Sequence, residues 1–318
     1  MHSFLDEIKA ARQRIAPYIV ETPLLRLPGL DAYLGCEVYA KAECLQITGA
    51  FKLRGAMNKM LKLTPEQLQC GVVTASSGNH GKALSYAAKM LGATATVVIP
   101  DTAPDIKVNA IKKLGAQVVR STTVERFQVA DRIAAENGGI VVPPYNDEDI
   151  MSGQGTIGLE ICEQMPNLNK VIVPLSGGGL LSGVAAAIKE TCPNITVIGA
   201  EPAALPRYTV SLAKGEPTAV EQKPTLADAL VSNRPGPVCF PWIQKYADQI
   251  VDVTDEDMLR GARHLLLDGH LLAEFSSAIG IGAVLSGLVE VEPTDKVCFV
   301  ISGGSVDLPQ LDMLKNLN

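Results

Sequence analysis

The chain has 318 residues, 47% of them hydrophobic and 19% charged, with a formal net charge of −6, enough to bury a large core and to form two domains. The acidic balance offers no basic stripe and the aromatic residues are few and scattered, which argues against nucleic acid or an anionic membrane surface as a partner. Met1 to Arg14 mixes Asp6, Glu7, Lys9 and Arg12 into its apolar positions, unlike a secretory signal, and no charge-free run reaches membrane-spanning length, so the expected address is the cytoplasm.

In chain order, a helix opens at Ser3, where Ser3 and Asp6 make a capping-box pair and Leu5, Ile8 and Ile15 share a face; Pro17 marks its end. Thr22 to Leu25 reads as extended, and Cys36 to Glu43 alternates like a strand with one wet face. The run Thr48-Gly49-Ala50-Phe51-Lys52-Leu53-Arg54-Gly55-Ala56 follows. A lysine between Ala50, Phe51 and Leu53 can be held partly desolvated, which lowers its pKa and exposes the nucleophilic amine that imine formation needs. The same run predicts a helix to about Leu61, with a second short helix capped at Thr64-Pro65-Glu66.

From Gly71 the apolar runs Val72–Thr74, Thr96–Ile99, Gln117–Val119 and Ile140–Val142 alternate with helix-length amphipathic segments. Short β-branched strands joined by helices predict a parallel sheet covered on both faces. The pattern resumes with a helix near 153–164 and strands at Val171–Pro174, Thr196–Ala200, Gln249–Val253 and Lys296–Ile301. The expected fold is α/β, with two open, twisted, mostly parallel sheets flanked by helices. A small domain over 71–147 is inserted into a large one formed by 1–70 and 148–318. Gly215 to Pro224, rich in proline and lysine, reads as a mobile surface loop.

Seven cysteines, at 36, 44, 70, 162, 192, 239 and 298, show no metal-ligand spacing and read as reduced core residues, and the four histidines form no helical zinc pair. The glycines are more informative. Ser176-Gly177-Gly178-Gly179-Leu180 follows a strand and opens a helix, an arrangement whose backbone N–H groups can close around phosphate oxygens. No Gly-Lys-Ser or Gly-Lys-Thr tripeptide occurs, and Gly153-Gln154-Gly155-Thr156-Ile157-Gly158 matches a dinucleotide fingerprint by letter but lacks the preceding strand. A small monophosphate fits better. With an imine-forming lysine, that phosphate points to pyridoxal phosphate. Ser76-Ser77-Gly78-Asn79-His80 and Ser302-Gly303-Gly304-Ser305 also follow strands, and sites in open α/β sheets gather at the carboxyl ends of strands.

TGAFKLRGA, SSGNHG, GQGTIGLE, SGGGLLSG and ISGGSVDL, in this order over nearly the whole chain, resemble the serine/threonine dehydratase and serine racemase family of fold-type II pyridoxal-phosphate enzymes, with their tryptophan synthase β-like architecture. The resemblance implies that Lys52 is the Schiff-base lysine and the base for the substrate's α-proton. It implies that Phe51 packs on the cofactor ring, Asn79 bonds the ring oxygen, Ser302 faces the pyridine nitrogen, and the N–H groups of Gly177, Gly178, Gly179 and Leu180 hold the phosphate. Ser76, Ser77, Asn79 and His80 would hold the substrate carboxylate, with Ser77 also a proton donor opposite Lys52. A homodimer acting on a small amino acid is the expected assembly.

Two positions depart from the family. Ala50 stands where a serine usually precedes the lysine by two residues. Six residues beyond Glu201, where cation-dependent relatives carry an acid, this chain has Arg207, so a divalent cation at Glu201 is doubtful because a guanidinium cannot ligate one. The expected activity is β-elimination from serine, threonine or another 3-hydroxy amino acid, giving a 2-oxo acid and ammonia. Amino acid racemisation is the close alternative, and a sulfhydryl-transferring synthase or a non-catalytic binding protein the distant ones.

Overall fold

The computed structural model of the chain describes residues 3–76, 78–103, 105–315 and 317. In chain order its strands are β1 (Leu24–Arg26), β2 (Glu37–Lys41), β3 (Val72–Ala75), β4 (Ala95–Pro100), β5 (Gln117–Ser121), β6 (Ile140–Val141), β7 (Lys170–Pro174), β8 (Thr196–Pro202), β9 (Gln249–Val253) and β10 (Lys296–Val300). They sort into a six-stranded sheet of order β1-β2-β10-β7-β8-β9 and a four-stranded sheet of order β5-β4-β3-β6. Among the strands of the described residues, only the β1–β2 pair is antiparallel. In β7, Val171, Ile172 and Val173 are buried on both faces, as a parallel strand between helical layers requires. No helix among the described residues is long and apolar enough to cross a membrane.

The elements that carry the site form where local chemistry directs. Ser3 and Asp6 cap the helix Phe4–Ile15, and Thr64 and Gln67 form a second capping box for Pro65–Cys70. Between them, the helix Lys52–Leu61 begins at the lysine. Its Leu53, Ala56, Met57 and Met60 pack with Leu84, Ala87 and Val97 beside the four-stranded sheet. Its other flank crosses the helix Glu148–Gln164 so closely that a Cβ on Gly55 would lie 2.7 Å from the Ile150 carbonyl oxygen. Gly153, Gly155 and Gly158 lie on that partner helix, where added Cβ atoms would meet Gly55 Cα at 2.6 Å, Gly183 O at 3.0 Å and Val184 O at 2.7 Å. The dinucleotide-like lettering is therefore a helix-crossing stripe.

Three readings from sequence need correction. The helix expected near 153–164 starts at Glu148, because Asp147 accepts hydrogen bonds from the N–H groups of Asp149 and Ile150 and caps it five residues earlier. The wet face expected of β2 ends at Lys41, which is buried and pairs with Glu160 at 2.6 Å. Not all cysteines are core residues: Cys70 is exposed, and Cys44 and Cys192 are half-buried. The 215–224 stretch is irregular and largely exposed, as expected of a surface loop, with Thr218 N–H donating to Ser211 Oγ at 2.8 Å and Val220 N–H to Asn233 O at 2.9 Å.

Lys41 belongs to a buried cluster of two cations and two anions. Arg54 donates to Glu43 at 2.9 Å from both Nε and Nη2, and to Glu160 from Nη1 at 2.5 Å and Nη2 at 2.8 Å. Charges this deep persist because each is paired and hydrogen-bonded. The cluster ties β2 and the Glu148–Gln164 helix to the first turn of the Lys52 helix.

Candidate active site

Lys52 is half-buried at the start of its helix, its Nζ donating to the Pro144 carbonyl at 2.6 Å and lying 5.0 Å from the centre of the Phe51 ring. Burial of the amine lowers its pKa from 10.5 to about 8, opposed by the charges of Cys239 and Glu274. Three loops surround it. Cys239 packs against Gly178, Glu274 against Gly303, and the Lys52 charge also acts on His80. The chain just before the lysine is stitched to the loop after β10: Phe51 N–H donates to Ser302 O at 3.0 Å, and Gly304 N–H to Gly49 O at 2.8 Å.

The glycine loop turns from β7 into the helix Gly179–Thr191, with Gly178 as its N-cap at φ 108°, a left-handed conformation that an L side chain rarely adopts. A Cβ on Gly177 would lie 2.4 Å from the Tyr145 ring, and one on Gly178 would lie 2.0 Å from the Tyr208 hydroxyl. These glycines thus let two tyrosines close on the back of the loop. The first N–H groups of the helix have no partner within it, and its N-terminal partial charge favours an anion.

The remaining residues meet at the ends of β3 and β10. Asn79 starts the helix Asn79–Met90; its Nδ2 donates to both oxygens of buried Glu274 at 3.0 Å, and its Oδ1 accepts from Ser305 Oγ at 2.6 Å. Burial pushes the Glu274 carboxyl up to about 7, with the Asn79 bond opposing. Ser302, buried at the end of β10, lies 3.0 Å from Ser277 Oγ. Ser76 is half-buried beside Gly78, whose N–H lies 3.4 Å from Ser76 Oγ. Ser77 lies outside the described residues.

The His80 side chain is committed away from the helix N-terminus. Its ring is buried against β6, with Nε2 3.0 Å from the Val142 carbonyl, and its pKa falls to about 3 through burial and the Lys52 charge. A neutral ring that donates from Nε2 to a carbonyl keeps only an acceptor at Nδ1, and Nδ1 is buried without a partner. A carboxylate needs donors, so any part of His80 in holding it falls to its backbone N–H in the first turn of the helix Asn79–Met90 rather than to the ring.

Glu201, at the end of β8, is equally committed. Its carboxylate accepts the N–H of Tyr208 at 3.0 Å and of Thr209 at 2.8 Å, and faces Arg207 Nε at 3.5 Å. Burial raises its pKa to about 7 against the Arg207 charge. Among the described residues, no group of three or more His, Cys, Asp and Glu side chains could hold a metal ion.

Glu274, Ser277, Tyr145 and Tyr208 were not singled out by the sequence reading. Only Glu274 carries a local signal, as a lone acid after the apolar run Leu271-Leu272-Ala273.

The donor set fits pyridoxal phosphate. An amine with lowered pKa suits its aldehyde, free N–H groups at a helix N-terminus suit its phosphate, and the buried Ser302 hydroxyl suits its ring nitrogen. Fold and site together define a pyridoxal-phosphate enzyme of fold type II. The family model described as "Pyridoxal-phosphate dependent enzyme" matches residues 15–303, and the chain belongs to that family. It is 40% identical over 314 residues to the L-threonine ammonia-lyase of Thermotoga maritima, covering 98% of this chain and 78% of that one. It is also 40% identical over 310 residues to the serine racemase of Arabidopsis thaliana, covering 96% and 93%. Among solved structures, maize serine racemase superposes with a TM-score of 0.92 at 37% identity, covering 97% of this chain and 95% of that one. The processed threonine deaminase isoform 2 of Solanum lycopersicum gives 0.94 at 32% identity, covering 99% and 92%.

Proposed function

We propose that this enzyme eliminates water from a 3-hydroxy amino acid, serine, threonine or a larger homologue, and releases a 2-oxo acid and ammonia. The observation that carries this reading is the Lys52 amine, drawn down to about 8 between loops that end on Gly178, Asn79 and Ser302. When bound, pyridoxal phosphate supplies the electron sink that acidifies the substrate's Cα–H bond. Lys52 Nζ takes the α-proton, since an amine with a pKa near 8 both accepts and returns protons near neutral pH. The N–H groups of Gly177, Gly178, Gly179 and Leu180 hold the phosphate, and Phe51 backs the ring. Ser302 offers the ring nitrogen a hydroxyl rather than a carboxylate, so negative charge at Cα is stored poorly and loss of the β-hydroxyl outruns transamination. Ser76 and Asn79 hold the substrate carboxylate at the helix N-terminus, with the Asn79 amide fixed by Glu274 and Ser305.

In this reading residues 71–147 form the substrate-carboxylate domain and 1–70 with 148–318 the cofactor domain, in a cytoplasmic homodimer. Relatives named threonine ammonia-lyase support elimination, and those named serine racemase support a second reading, slow racemisation at the same site. The deciding experiment incubates the purified protein with a panel of 3-hydroxy amino acids and assays 2-oxo acid and enantiomer. A yellow protein that forms 2-oxo acid from at least one of them is expected. A colourless protein, or one inert toward all of them, overturns the proposal.

Two further outcomes are expected. Only the neutral amine attacks an aldehyde, so capture of pyridoxal phosphate by the apo chain should accelerate with pH and level off above about 8, the lowered pKa of Lys52. Stopped-flow absorbance follows this directly, and a rate still climbing toward 10.5, the ordinary lysine value, contradicts it. Arg207 places a positive charge 3.5 Å from Glu201, so activity should not respond to magnesium or EDTA. Strong magnesium activation that disappears in Glu201→Gln contradicts this.

A further inference from the structure

The loop between β7 and its helix is held from one side by two consecutive side chains. Arg207 donates from Nη2 to Leu175 O at 2.6 Å and from Nε to Ser176 O at 3.2 Å, and Tyr208 OH donates to Gly177 O at 2.9 Å. Arg207 Nη1 is anchored on Leu230 O at 3.0 Å, and both side chains are fully buried. Neither can swing away, because Glu201 binds the N–H groups of Tyr208 and Thr209 and so caps the helix Arg207–Lys214 that carries them.

A trans peptide unit is planar, with its C=O and N–H pointing in opposite directions. Fixing the carbonyls of Ser176 and Gly177 toward Arg207 and Tyr208 therefore turns the N–H groups of Gly177 and Gly178 the other way. The N–H groups of Gly179 and Leu180 belong to the first helical turn and are aimed by the helix itself. An anion at this end thus meets two donors set by helix geometry and two set by side chains from beyond β8.

We infer that Arg207 and Tyr208 are positioning residues that aim the Gly177 and Gly178 N–H groups at the cofactor's phosphate without touching cofactor or substrate. The inference rests on the reading of this loop as the phosphate site. A merely structural role would lower stability and leave ligand preference alone; a positioning role removes the phosphate's share of binding.

The test titrates the apo forms of wild type, Tyr208→Phe, Arg207→Lys and the double variant Arg207→Met/Glu201→Gln with pyridoxal phosphate and with pyridoxal. The double variant removes both charges, so no unpaired carboxylate stays buried. Wild type should strongly prefer the phosphorylated form. Gly236 N–H also holds the Gly177 carbonyl at 2.9 Å, so Tyr208→Phe should cut that preference by up to about tenfold, the equivalent of one neutral hydrogen bond. The double variant, losing the donor on the Ser176 carbonyl that aims the Gly177 N–H, should cut it about tenfold. Arg207→Lys should recover part of the loss, and affinity for pyridoxal should stay constant throughout. If the double variant does not melt cooperatively, the ratios in Tyr208→Phe and Arg207→Lys decide. An undiminished preference in the folded variants overturns this inference alone. Equal binding of both ligands by wild type overturns the phosphate reading of the loop and this inference with it.

Discussion

Lys52→Ala is expected to yield a colourless protein whose turnover falls about a thousandfold or more, the scale lost when a positioned base and nucleophile is removed. The fold should survive. The side chain is half-buried, its Nζ donates to the Pro144 carbonyl, and alanine is a strong helix former. Stability at neutral pH should not fall either, by the sign of the pKa shift. The folded chain holds fewer protons at Lys52 than the unfolded chain between about 8 and 10.5. Burying this amine therefore opposes folding at lower pH, and the opposition fades as pH rises through that window. Absorbance and a melting curve on the same sample check both halves. A visible band that persists in the variant would shift the assignment to Lys82, whose Nζ reaches Ser305 Oγ beside Asn79. Lys41 is committed to Glu160 and the Thr22 carbonyl and is a poor substitute.

For Ser77→Ala the expected result is a separation of two activities. Racemisation needs a proton donor on the face of the substrate opposite Lys52, within hydrogen-bond reach of Cα or through one water. Ser77 is proposed for that place on its position in Ser-Ser-Gly-Asn-His. A serine hydroxyl is a weak acid, so its contribution depends on activation by its surroundings and should be slow beside elimination. Wild type should therefore form 2-oxo acid rapidly and the opposite enantiomer slowly, whereas Ser77→Ala should lose the enantiomer and keep 2-oxo acid formation from the L-substrate. Following both products in one chromatographic assay is sufficient. An alanine variant that still racemises, or a wild type that never does, removes Ser77 from the role.

What the sequence disclosed, and what it withheld, divides by range. Strand and helix periodicity, Ser3 and Thr64 as caps, and a helix opening in the Lys52 run are properties of a few neighbouring residues, and each was readable. So was the gathering of the Gly177, Asn79 and Ser302 loops at strand ends, since it follows from parallel topology. The Asn79–Glu274 pair joins residues 195 apart in sequence, and nothing local to either announces the other. His80 illustrates the same limit: nothing local to it announces that burial beside Val142 and the Lys52 charge make its ring a neutral acceptor. Arg207 was legible as a missing metal ligand, whereas its grip on three carbonyls depends on β7 and the 230 loop lying alongside it.

The helix Lys52–Leu61 is shared property. One flank completes the core beside the four-stranded sheet and the other is pressed, glycine to glycine, on the helix Glu148–Gln164. Amide exchange in such a helix is governed by whichever cooperative unit opens first. If the four-stranded sheet loosens, Leu53, Met57 and Met60 lose their cover, and the reactive lysine goes with them while β7, β8 and β10 remain paired. A cofactor joined to Lys52 and bound on the Gly179 helix would pin the Lys52 helix to the six-stranded part of the molecule, so by mass action it would raise the free energy of that partial opening. The bond that would make the enzyme active would thus also act as a rivet on the helix that carries it.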